Sequence, residues 1–124
     1  MHGAARSVFV FGIYAIIAGI GLLLLPGVVL ATLRFPPAQD GWVRVVGALA
    51  IFVGVYHVVG AQNELVPYIR ATVWGRIGFA IVLAALVVIR WMPASLLLFA
   101  GVDLAGAVWT AITLRRFSTV VPAA

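Results

Sequence analysis

An all-α membrane four-helix bundle is the fold class this sequence predicts, on three observations. The 124 residues are 65% apolar and 9% charged, with a mean hydropathy of +1.24. A soluble domain of this size is about 25% charged and about 45–50% apolar, so a water-soluble fold could not hide this much apolar surface. The apolar residues fall into four runs, each near the ~20 residues that cross a ~30 Å hydrocarbon core. Arginine and tryptophan gather towards the ends of those runs, where headgroups would lie.

The first span is predicted over Ser7–Leu25, "SVFVFGIYAIIAGIGLLLL". Pro26-Gly27 breaks or kinks it. "VVLATLRF" then either continues the span or lies in the interface, and "FPPAQDG", Phe35–Gly41, is a loop. The second span covers Trp42–Gly60, and "AQNELVP" is the turn after it. The third covers Tyr68–Ile89, with Arg70 and Arg76 in its first half, and "RWMPAS" turns the chain around Pro93. The fourth covers Ala94–Leu114, followed by a short, frayed tail, "RRFSTVVPAA". The N-terminal run resembles a signal peptide in its Arg6 and apolar stretch. It lacks a small-x-small cleavage site, so it reads as a retained first span.

An up-down arrangement of these spans puts Arg6, Arg70, Arg76, Arg115 and Arg116 towards one side and Arg34, Arg44 and Arg90 towards the other. The bias predicts both termini in the cytoplasm of a cell with an inner (plasma) membrane. Trp42 and Trp91 then fall at the outer ends and Trp74 and Trp109 towards the inner ends. The net charge of +5 comes from eight arginines and no lysine. Their scatter along the chain leaves no basic face for nucleic acid. All-arginine usage with abundant alanine, glycine and valine suggests a bacterial source.

Lipid tails are as apolar as leucine, so spans associate through small residues and polar contacts. Gly12, Ala15 and Gly19 share a face of the first span. Arg44, Gly47, Gly54, His57, Ala61 and Glu64 form one stripe at helical period on the second. Asp103, Gly106, Ala107, Thr110 and Thr113 form another on the fourth. Gly12, Gly19, Gly47, Gly54 and Gly106 are the expected packing glycines. A polar cleft between the second and fourth spans is the functional counterpart of that packing.

Asp103 stands nine residues into the fourth span, roughly 13 Å from its outer boundary at 1.5 Å per residue. An aspartate at that depth costs about 2.5–3.5 kcal/mol to insert. It should face the interior and either pair or be protonated. Arg76 is the expected partner, starting roughly 10–12 Å from the inner boundary with a long side chain. Arg44 could reach it from the other side. His57 and Glu64, seven residues apart, compete for Arg76. Asp103, Arg76, His57, Glu64 and Arg44 therefore make the expected intramembrane polar cluster, serving either as helix glue or as a ligand or proton site.

Catalytic sets are sparse. There is no cysteine, which excludes disulfides and thiolate metal sites. One histidine and one aspartate within the spans, with one glutamate in the turn beside them, fall short of a zinc site. Ser7, Ser95 and Ser118 sit at span ends without a base nearby, and no glycine-rich phosphate loop occurs. No cofactor, metal or catalytic residue is expected.

Over "GWVRVVGALAIFVGVYHVVGAQNELVPYIRATVWGRIGFA" and "LLLFAGVDLAGAVWTAITLRR" the chain resembles small bacterial four-helix membrane proteins, loosely DoxX-like in size and pattern. The resemblance implies a four-span bundle. Small multidrug exporters are similar in length and in their Ala-Val-Trp stretch, but they carry a glutamate in the first span, where Ser7–Leu25 has no acid. The expected role is non-catalytic: an accessory subunit of a membrane complex or a homo-oligomer, with the lipid bilayer and other membrane subunits as partners. The alternatives are a binder or proton-coupled carrier of a small apolar or cationic molecule through Asp103, or a lipid- or quinone-modifying enzyme with His57 as base.

Overall fold

The computed structural model describes residues 1–37 and 41–120, the last four of these by their backbone alone. Helix α1 spans Gly3–Leu24 and α2 Pro26–Thr32. Helix α3 spans Trp42–Gln62, α4 Val66–Val88 and α5 Leu97–Val120, the last entered through a 3-10 turn at Ala94–Leu96. Among the described residues there is no strand. Four helical stretches are long and apolar enough to cross a membrane: Gly3–Leu24, Trp42–Gln62, Val66–Val88 and Ala94–Arg116.

Two span boundaries differ from the sequence reading by four residues or more. Helix α1 starts four residues before Ser7 because His2 caps it: the Ala5 N–H donates to His2 Nδ1 at 3.1 Å. Ala4 and Ala5 then bury against Ala61, Ile69 and Leu114. Helix α5 runs past Leu114 to Val120, so Arg115 and Arg116 lie in the helix rather than in a frayed tail.

Pro26 lacks an N–H and would clash with the preceding turn, so α1 ends before it and Pro26 becomes the first residue of α2. Helix α2 does not continue the span. A Cβ on Gly21 would meet Val29 Cγ2 at 3.1 Å, whereas residues eight apart on one straight helix are about 12 Å apart. The chain therefore folds back on the end of α1.

Helices α2, α3 and α4 close with one device. Their last turns are finished by the Arg34, Glu64 and Arg90 N–H groups, which donate to Ala31 O, Ala61 O and Val87 O. The next N–H groups, of Phe35, Leu65 and Trp91, reach back to Leu30 O, Gly60 O and Leu86 O. This is the Schellman pair of bonds, which needs a left-handed residue and usually takes glycine. Here Arg34, Glu64 and Arg90 adopt φ of 59°, 50° and 64°.

Helix α1 is the centre of the bundle, packed along α3 on one side and α5 on the other, while α4 packs on α5. Helices α1 and α3 meet backbone to backbone. A Cβ on Gly12 would lie 2.8 Å from Gly54 O, and one on Gly19 would lie 2.5 Å from Gly47 O. Helices α3 and α4 touch chiefly beside their connecting turn, where the Tyr68 ring fills the space over Gly60. Two small apolar clusters cap the interior. One joins Val8, Ile69 and Leu114. The other joins Ala80, Leu83 and Ala100, beside the stacked rings of Phe35 and Phe99. Between them, along both α4 and α5, the buried residues turn polar.

Candidate functional site: a buried polar layer

Thr72 and Arg76 are one helical turn apart on α4 and face α5. Arg76 is 4% exposed. Its Nε donates to Thr72 O at 3.1 Å, and its Nη2 donates to Thr72 Oγ1 at 3.2 Å and to Thr110 Oγ1 at 2.7 Å. Thr110 in turn donates to Gly106 O at 3.0 Å and stands 2.7 Å from Ser7 Oγ on α1. Ser7 Oγ also lies 2.7 Å from Ala4 O. Three helices are thus tied through one guanidinium and three hydroxyls. The Phe11 ring covers the guanidinium, 4.8 Å from its carbon, as a cation–π lid.

Asp103 is 8% exposed and lies one turn before Gly106 on the inward face of α5. It does not pair with Arg76: among the described residues no ion pair within 4.0 Å joins them, and no hydrogen bond ends on the carboxylate. Helical geometry is the reason. Side chains lean towards the N-terminus of their own helix. On the neighbouring helices α4 and α5, Arg76 leans back to Thr72 and Thr110, and Asp103 leans the opposite way. The two charges act on one another through space. Arg76 Nη1 is buried without a hydrogen-bond partner. It reaches within 2.9 Å of the place a Cβ on Gly106 would take, so Gly106 makes room for a guanidinium rather than for a helix backbone.

His57 sits on the far side of Phe11, with ring centroids 5.6 Å apart. Its Nδ1 is 2.9 Å from Val53 O and 3.1 Å from the Tyr68 hydroxyl, and its Nε2 is buried without a partner. A lone pair would repel a carbonyl at that distance, so Nδ1 carries the proton. In the neutral ring Nε2 is then a bare acceptor.

The other two expected members are elsewhere. Glu64 is exposed in the α3–α4 turn, paired with the Met1 amine at 3.5 Å and near His2 Nε2 at 3.9 Å. The left-handed turn carries its side chain away from the stripe that holds His57. Arg44 Nη1 donates to Leu23 O. That carbonyl is in the last turn of α1, which the Pro26 break leaves without helical partners, so Arg44 serves as a cap. Nor do the stripes of α3 and α5 form a cleft together, because α1 lies between them. Gly47 and Gly54 face α1, and so does Gly106, through Phe11.

Sequence reasoning overlooked Thr72, Phe11 and Tyr68 and treated Ser7 as a span end. One signal was available: Thr72 lies four residues before Arg76, within reach of its guanidinium. Phe11 and Tyr68 carry no such signal, since an aromatic in an apolar run fits any face. Among the described residues no group of three or more metal-ligating side chains occurs.

A helical bundle with four bilayer-length apolar helices, holding a guanidinium, a carboxylate and an imidazole in its interior, is the class of protein that this fold and layer define. No family model, no curated protein and no solved structure matches the chain.

Proposed function

We propose that the chain is an up-down, multi-pass protein of the plasma membrane with both termini in the cytoplasm. It acts without catalysis, by presenting its helices to other membrane subunits or to further copies of itself. The observation that carries this reading is a contrast among glycines. Gly12, Gly19, Gly47 and Gly54 each have backbone of another helix against them. Gly75 and Gly78 on α4 and Gly101 on α5 are exposed, with nothing within 4 Å of an added Cβ. A helical glycine costs about 0.8–1.0 kcal/mol relative to alanine. Nothing among the described residues offsets that cost, whereas another helix drawn close along Ala71, Gly75 and Gly78 would. The interior favours the same reading, since the polar layer spends most of its donors on joining α1, α4 and α5.

Native mass measurement after extraction in a mild detergent tests it. The wild-type chain, 13.1 kDa by itself, should emerge with companion subunits or with copies of itself, and Gly75→Leu with Gly78→Leu should release a folded single chain. A wild-type chain that emerges alone from every mild detergent and from native lipid discs overturns the proposal.

A further inference from the structure

A groove of about 360 Å³ runs between α1 and α5. Its walls include Val10, Tyr14, Val102 and Trp109, and its floor is Phe11 and Gly106. Behind that floor, on the α4–α5 side, lie two polar groups that the helix-tying network leaves over. Arg76 Nη1 is a charged donor without an acceptor, 2.9 Å from the Cβ position of Gly106. Asp103 accepts no hydrogen bond among the described residues and lies one turn before Gly106 on α5. A donor and an acceptor left over one helical turn apart are complementary to a group that both accepts and donates. Positions three apart on a helix have Cβ atoms about 5–6 Å apart. The two groups therefore stand about one helical turn apart, behind the same stretch of α5.

The geometry points to a binding site in the α1–α5 groove for a neutral, apolar molecule bearing a hydroxyl, which donates to the Asp103 carboxylate and accepts from Arg76 Nη1. The apolar body lies along Val10, Val102 and Trp109. Charge decides against a cation, because Arg76 already supplies the positive charge nearest the acid, and against an anion for the reciprocal reason. Phe11 is the gate. Its ring lies over the guanidinium and 3.3 Å from the Cβ position of Gly106, so the hydroxyl enters as the ring turns aside. The site is independent of the assembly reading, since it lies between α1 and α5 and leaves Gly75 and Gly78 untouched.

Trp109 provides the readout. Trp42, Trp74 and Trp91 are exposed and can be replaced by Phe, leaving Trp109 as the fluorophore. The purified full chain in dodecyl maltoside is titrated with 11-bromoundecan-1-ol, 1-bromoundecane and 11-bromoundecyl-trimethylammonium, each by mole fraction in the micelle. Bromine quenches indole on contact. The alcohol should quench Trp109 saturably, at a mole fraction at least tenfold lower than either of the others. Asp103→Asn should reduce that preference several-fold, while Phe11→Leu, which opens the gate, should raise the alcohol's affinity. A damaged fold produces no such gain. Equal quenching by alcohol and bromoalkane overturns the site and leaves the groove to lipid, with water between the two charges. Preference for the ammonium overturns it as well, as does a preference unchanged in both variants.

Discussion

Arg76 Nη2 donates to Thr110 Oγ1 at 2.7 Å across the boundary of α4 and α5, and that hydroxyl is shared with Ser7 on α1. One threonine oxygen therefore holds three helices in register. Thr110→Val keeps the shape and removes the oxygen, leaving a buried guanidinium N–H and the Ser7 hydroxyl short of a partner. A loss of about 1–3 kcal/mol is expected in reversible denaturant unfolding in detergent. Ser7→Ala combined with Thr110→Val should cost less than the two changes summed, because both remove the same contact. Strict additivity would show that the two hydroxyls are not coupled.

The α1–α3 interface has no room for a methyl group. An added Cβ at Gly19 meets Gly47 O at 2.5 Å, and one at Gly54 meets Gly12 O at 2.6 Å. Both obstacles are backbone and cannot rotate away, so Gly19→Ala and Gly54→Ala should each destabilise by about 1–3 kcal/mol through forced separation of the helices. Gly75→Ala, in open space, should leave the isolated chain as stable or up to about 1 kcal/mol more so. Thermal melts of the three variants in one detergent separate these classes, and similar melting points would refute the assignment of contacts.

Three helices end on a left-handed residue that is not glycine. Replacing Arg34 or Arg90 by Gly should stabilise the chain by about 0.5–1 kcal/mol, since glycine adopts φ near +60° without a Cβ penalty. Glu64→Gly should gain less. It also loses the Met1 pair, although an exposed pair of this kind is worth only about 0–1 kcal/mol. Unfolding curves that move the other way for Arg34→Gly and Arg90→Gly would argue against these helix ends.

In its neutral form His57 should carry its proton on Nδ1, the less common tautomer, because Val53 O lies 2.9 Å from that nitrogen. Nitrogen-15 spectra of ring-labelled chain in lipid discs report the tautomer directly. Tyr68→Phe should leave it unchanged, as the carbonyl rather than the phenol selects it. A proton found on Nε2 would mean the ring is turned the other way.

Orientation can be read by thiol labelling, since the chain has no cysteine of its own. With both termini cytoplasmic, a cysteine placed at Asn63 should react only after the membrane is opened from outside. One placed at Gly41 should react with an impermeant reagent on intact cells. The reverse pattern would invert the topology.

The four membrane-length helices were legible along the chain because hydropathy is a property of runs, and a run of about 20 apolar residues needs no knowledge of its neighbours. Pro26 announced its own break, and Gly54 lies in a stripe that any helical projection displays. The inward burial of Asp103 and Arg76 followed from the cost of charge in lipid alone. Their separation did not. Whether two buried charges touch depends on the direction each side chain leans and on which helix stands between which, and neither is written in local sequence. Only the packing of α4 against α5, with α1 closing the layer, turned Arg76 towards Thr110 and left Asp103 open. The same packing gave Arg44 to the broken end of α1 and Glu64 to the turn, because a free carbonyl and a left-handed residue claim side chains at a range of one or two turns, whatever stripe those residues share.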